Sequence, residues 1–319
     1  MRSEGLLIQS RVLIVAGKGG VGKTTVSAAL CMAAAKAGLD ALLVELESEG
    51  PAAKLLGWRG SLSYDDAEIL GWDVKGRLRA RCLRPENVLA DYLYSHGLAK
   101  IAKRLASSGT LDVVSTAIPG LKDILVLGKI RQLEEAKAAD LLVVDAPASG
   151  HALSFLNSAS GLADAAASGP LRTQSLEVLD LLHDEERSRV LLVTIAEETP
   201  VNETVETAFA LEDRVGVALG PLLVNAVDVG LRPNLEEEPQ AILERFPDSL
   251  SEPEARALAR AAHWRRARYQ SQQEALQRLS EALPLQQIIL PLVFDNLETI
   301  HPDHPLVVAL SKEIATEQQ

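Results

Sequence analysis

The sequence is poor in sulfur, in aromatic rings and in positive charge. It holds two cysteines, two methionines and 3% aromatic residues in 319 positions. Cys31 and Cys82 stand apart, without CxxC or Cys/His spacing, so they build no thiolate metal site and read as reduced structural thiols. With 32 Lys and Arg against 44 Asp and Glu, the formal charge is −12. Such a balance repels polyanions, and no nucleic-acid partner is expected. Apolar runs such as Leu141-Leu142-Val143-Val144 fall far short of the roughly 20 residues that cross a bilayer. Residues 305–319 offer one helix-length of apolar positions and no basic face, so stable membrane insertion is not expected either. The first eleven residues carry an early Arg2 but no sustained apolar stretch and no small-residue cleavage site, which makes the cytoplasm the expected location.

What is present is the composition of a soluble globular protein, 47% apolar and 24% charged. Short β-rich apolar runs recur at 12–16, 41–45, 141–145, 190–195, 222–225 and 287–290. Runs this apolar suit strands covered on both faces, the habit of parallel sheets. Between the first two, 23–37 carries Val26, Ala29, Leu30, Ala33 and Ala37 at helical spacing, and Gly38 follows as a stop. The expected fold is therefore α/β, a doubly wound, mostly parallel sheet with helices on both faces, forming one domain over 1–319. A helical subdomain is expected as an insertion over about 55–139, containing a basic alternating stretch at 77–81 and helical patterns at 86–105 and 121–133. Residues 154–172, rich in Ala, Ser and Gly, have few large side chains to anchor them and are expected to be mobile. The acidic, four-proline stretch 233–253 reads as a surface excursion, followed by a helix over 254–283.

The chemistry begins at Gly17-Lys18-Gly19-Gly20-Val21-Gly22-Lys23-Thr24-Thr25. A Gly-x4-Gly-Lys-Thr string that follows a strand and opens a helix is a phosphate-binding loop. Its glycines let main-chain N–H groups turn onto phosphate oxygens, and the helix N-terminus adds partial positive charge. Gly17, Gly19, Gly20, Val21, Gly22, Lys23, Thr24 and Thr25 are the expected cradle of ATP, with Lys23 on the β- and γ-phosphates and the Thr24 hydroxyl on Mg2+. Asp145, at the end of a strand, can hold the same metal through water.

With its extra lysine, the loop resembles the deviant Walker A ATPases, the group that includes MinD, ParA, the nitrogenase iron protein and ArsA. The resemblance implies that Lys18 crosses a dimer interface to the partner's phosphates. Asp145-Ala146-Pro147-Ala148-Ser149-Gly150-His151-Ala152-Leu153 is similar to the switch II segment of ArsA-like ATPases, with five positions agreeing in type. Residues 193–204 are similar to that family's strand and Glu-Thr helix start. Val224-Asn225 matches the pair after which the family reads adenine, and Leu290-Pro291-Leu292 matches the loop closing over the purine, which implies base-binding roles for Asn225 and Pro291. The resemblance runs from Arg11 to about Val293.

Two departures accompany it. Where the family's switch I reads Asp-Pro-Ala-His, this chain has Glu45-Leu46-Glu47-Ser48-Glu49-Gly50-Pro51. Counting from the strand places Glu47 at the water-orienting position, with Glu45 and Glu49 as alternates. The second departure concerns cargo: two scattered cysteines cannot form an arsenite-binding triad, and Met1 and Met32 cannot furnish a methionine-rich groove. The expected activity is Mg2+-dependent ATP hydrolysis by a dimeric, nucleotide-controlled switch. Its second subunit is another copy or a related chain, and its client is an unidentified protein or small anion. The alternatives are a ParA/MinD-like positioning ATPase, or a nucleotide-binding scaffold with little turnover.

Overall fold

The computed structural model describes residues 7, 9–95, 97, 100, 103, 120–147, 149–230, 239–245, 250–294 and 299–314. Its strands are Val12–Gly17 (β1), Asp40–Glu45 (β2), Ala67–Glu68 (β3), Arg77–Cys82 (β4), Leu141–Asp145 (β5), Ser188–Ile195 (β6), Leu222–Val227 (β7) and Gln287–Pro291 (β8). They form one sheet in the order β3-β4-β2-β5-β1-β6-β7-β8. Every pairing is parallel except the short β3–β4 contact at the edge.

The period-2 alternation of the strands divides the core into two layers. Val12, Ile14 and Ala16 of β1 point into one layer, Leu13 and Val15 into the other. The second layer is covered by Lys23–Ala37 (α1) and Pro305–Ile314 (α10). The first is covered by Leu121–Glu135 (α4), Ser149–Ala165 (α5), Pro170–His183 (α6), Glu198–Val215 (α7) and part of Glu252–Ala282 (α9). Three further helices are Pro51–Leu55 (α2), Pro85–Ser95 (α3) and Pro239–Arg245 (α8). Helix α1 is buried almost all round, which explains its run of alanines: small side chains let it lie close against the sheet.

The order reverses at β1, with β5 on one side and β6 on the other. Parallel sheets leave a crevice for ligands at the carboxyl ends of such strands. The six expected strands all lie in this sheet. The basic stretch 77–81, assigned by its sequence to the helical insertion, belongs to the sheet as well, because β4 pairs along the full length of β2. Its charges are compatible with that place because they are neutralised. Arg79 Nε and one terminal nitrogen each donate to Asp40 at 2.9 Å, and Arg79 also pairs with Asp66. Around β4 the insertion is helical in α3 and α4, while the expected continuation of the first helix over 98–105 falls mostly outside the described residues. So do 233–238 and 246–249 of the acidic excursion.

Residues 154–172 fold as the greater part of α5 and the start of α6, with a break at 166–169. Phe155, Leu156, Ala159 and Leu162 supply the anchoring surface that composition alone concealed. At the end of the sheet opposite the crevice, the Glu134 carboxylate, fully buried, is shared between Arg11 and Arg187, the latter at 2.5 Å. Removing the carboxylate leaves two guanidiniums without their common partner. Glu134→Ala is therefore expected to lower the free energy of unfolding by about 3 kcal/mol, measured as a shift of the urea midpoint.

Candidate functional site

The loop between β1 and α1 turns at the centre of the crevice, and its glycines are required by what lies against them. Gly17 has φ 146°, and a Cβ there would fall 2.2 Å from the carbonyl oxygen of Val193 on β6. Gly22 has φ 93°, and a Cβ there would fall 2.3 Å from Asn225 Nδ2 on β7. The loop is thus pressed against two neighbouring strands in a conformation only glycine adopts without strain.

Lys23 opens α1, and its ammonium group curls over the loop to donate to the Lys18 carbonyl at 3.0 Å. Burial lowers its pKa, against the pull of Asp145. Thr24 Oγ1 donates to Asp145 Oδ2 at 2.9 Å, and Ser27 Oγ donates to Asp145 Oδ1 at 3.0 Å. Burial pushes the Asp145 carboxyl above its ordinary range, and the two hydroxyls and Lys23 pull it back. Ser27 was not anticipated, although its place three residues after Thr24 on one helix puts both hydroxyls on the same face.

Lys23, Thr24 and Asp145 line a cavity of about 240 Å3 together with Glu45, Leu46, Glu47, Pro51, Ala146 and Pro147. Of the three acidic candidates, Glu47 is exposed and faces this cavity, whereas Glu49 is not in its wall. Glu45 is buried, its two oxygens taken by main-chain amides of α2. The donor set suits a hard divalent cation such as Mg2+: a threonine hydroxyl, a carboxylate and room for water or phosphate oxygens. Among the described residues no cluster of three or more His, Cys, Asp or Glu could hold a metal alone.

A second cavity, about 270 Å3, opens on the other side of the loop and is mostly apolar. Gly20, Val21, Gly22, Thr25, Asn225 and Pro291 are in its wall, with Leu292 and Val293. Asn225 donates from Nδ2 to the Val21 carbonyl at 2.9 Å. Just after it the β7–β8 register shifts, and Ala226 takes φ 56°, unusual for a residue with a Cβ. Gln272 of α9 holds this bulge, donating to the Ala226 carbonyl at 3.1 Å and accepting from Asp228 N at 3.0 Å. The bulge aims Asn225 and is fastened by a helix that sequence spacing did not connect to it.

Lys18 is engaged within its own chain. Its Nζ lies 2.6 Å from Glu203 Oε1 on α7, the two side chains 37% and 39% exposed. Glu203, 185 positions away, was not among the expected site residues.

Residues 10–168 match the family described as anion-transporting ATPases. The ATPase BagA of Mycobacterium tuberculosis is 35% identical over 224 residues, which cover 67% of this chain and 64% of that protein. The arsenical pump-driving ATPase of Escherichia coli is 29% identical over 209 residues, 65% of this chain and 33% of the pump protein. An uncharacterised Streptomyces coelicolor protein is 31% identical over 157 residues, covering 46% and 36% of the two chains. The chain thus spans just under two thirds of the mycobacterial relative and about a third of the pump ATPase.

Glu45 also sets a pH dependence. Burial lifts its carboxyl from 4.5 to about 7, with Asp145 and Glu47 adding to the rise and the amides of Ala52 and Ala53 opposing it. Between those values the folded protein keeps a proton that the unfolded chain has released. The stabilisation this gives is complete below pH 4.5 and is lost as pH rises through about 7. Glu45→Gln removes this titration. The melting temperature of the nucleotide-free variant is expected to fall less from about pH 5 to about pH 8 than that of the parent. Parallel curves would mean an ordinary carboxyl.

Proposed function

Since the chain belongs, through residues 10–168, to the anion-transporting ATPase family, we propose that it binds ATP with Mg2+ across the two cavities and hydrolyses it as a dimeric switch. The observation that carries this reading is the Asp145 carboxylate, bound by the Thr24 and Ser27 hydroxyls beside Lys23 at the head of α1. That arrangement supports reading a hard-cation site next to a phosphate cradle.

In this reading the amides from Gly17 to Thr25 cradle the phosphates, and Lys23 leaves the Lys18 carbonyl to bind their oxygens. Thr24, and Asp145 through water, would hold Mg2+, which when bound would supply positive charge beside the phosphates. Glu47 orients the attacking water from the cavity's outer wall. Adenine lies in the apolar cavity between the loop and Pro291. There Asn225, having spent one donor on Val21, keeps its carbonyl oxygen to accept from the exocyclic amine.

Lys18 reaches the phosphates of a second subunit, another copy or a related chain, and its pair with Glu203 favours slow turnover until that subunit arrives. Slow turnover is also the point at which this reading meets that of a nucleotide-binding scaffold. The client is a protein or a small anion. Cys31 and Cys82 are buried, as is Met32, so neither a thiolate triad nor a methionine surface supports the known cargoes of the family.

Lys18→Ala is expected to bind Mg2+·ATP within about threefold of the parent, while hydrolysis falls about 10³-fold, the scale of a charge supplied in trans. Phosphate release and equilibrium nucleotide binding, measured side by side, check this. Undiminished turnover would refute the trans role. Lys23→Ala, in contrast, is expected to lose nucleotide binding itself.

A further inference from the structure

Glu45 has no task in the scheme above, yet it is the carboxylate most completely enclosed by the loop that carries Glu47. It ends β2, is 2% exposed, and uses one oxygen for the N–H of Ala52 at 2.7 Å and the other for the N–H of Ala53 at 3.2 Å. The chain between them is drawn into a closed bend. Gly50, at φ 57°, lets the backbone approach: a Cβ there would sit 3.2 Å from Glu45 Oε2 and 2.9 Å from the Leu62 side chain. The bend is fixed further by Leu62 N–H on the Ser48 carbonyl at 2.8 Å, and by Gly50 N–H on the Glu47 carbonyl at 3.2 Å. The charged group it presents to the cavity beside Lys23, Thr24 and Asp145 is Glu47, next to Leu46.

We infer that Glu45 is a positioning residue: by clamping the amides of Ala52 and Ala53 it holds the 46–50 bend so that Glu47 faces the phosphate cavity. A carboxylate is the group the task requires, because two donors meet two acceptors. Glutamine has one carbonyl oxygen and would turn an amide N–H2 toward the second donor. Buried to 2% exposure with a main-chain N–H on each oxygen, Glu45 is spent on the bend, whereas Glu47 is exposed toward the cavity.

The kinetic arm of the test rests on the proposed hydrolysis; a second arm does not. At about pH 8, where the carboxyl is ionised, Glu45→Gln is expected to lower kcat for ATP roughly tenfold to a hundredfold, the scale of a hydrogen bond to a charged group. The KM is expected to change little. In a Glu47→Gln background the same change is expected to cost almost nothing, since the two act through one group. An equal loss in both backgrounds, or no loss in either, would overturn the inference. Independently, hydrogen exchange of the nucleotide-free protein is expected to quicken in peptides covering 46–53 of Glu45→Gln and to stay unchanged at α1 and β5. Unaltered exchange in 46–53 would overturn it whether or not ATP is hydrolysed, and a parent without ATPase activity would instead refute the proposed function. If Glu45→Gln folds poorly, Gly50→Ala, which crowds the same carboxylate, is expected to give the same local loss of protection, and unchanged protection there would count equally against it.

Discussion

The tie between α1 and β5 is the joint on which the site depends. One carboxylate, Asp145, receives hydroxyl hydrogen bonds from two residues about one turn apart on the same helix face. Without that joint, the helix N-terminus could slide along the strands and the loop before it would lose its seat on β6 and β7. The glycines at 17 and 22 follow from the same demand, since the loop must lie where Val193 and Asn225 leave no space for a Cβ. Geometry at the head of α1 is therefore set from three strands at once.

That joint also concentrates negative charge. Asp145, Glu45 and Glu47 line one cavity in which Lys23 is the cation, and burial pushes two of those carboxyls upward. A cleft of this kind is an unfavourable place for carboxylates alone and a favourable one for a divalent cation, whose charge reverses the local preference for protonation. The negative character of the site and its suitability for a hard cation have the same cause.

Much of this could be read from the residues in order. The sheet declared itself through runs that are apolar on both faces, and the loop through glycines and a lysine at fixed spacing between a strand and a helix. What escaped was set by contacts between distant positions. Arg77–Cys82 has the alternation of a strand, but its place among helical patterns assigned it to the insertion, whereas it pairs with β2 and Asp40 and Asp66 neutralise its Arg79. Composition made 154–172 seem unanchored, because the few large residues it holds, Phe155, Leu156 and Leu162, all face one way. The role of Gln272 at the Ala226 bulge and that of Glu203 at Lys18 leave no local trace, since each joins residues dozens of positions apart.

The Lys18–Glu203 pair bears on how the loop could serve a neighbouring subunit. Both side chains are more than a third exposed, and an ion pair so open to water is worth at most about 1 kcal/mol. A lysine released from it toward a triphosphate exchanges one solvated carboxylate for several phosphate charges in a cleft that a second subunit would close to water, where the same charges attract more strongly. The contact within the chain is therefore strong enough to choose a resting rotamer for Lys18 and too weak to hold it once phosphates come within reach. A buried pair would have locked the lysine, and a free one would have left it disordered; the half-exposed pair keeps it aligned on α7 at small cost to its release.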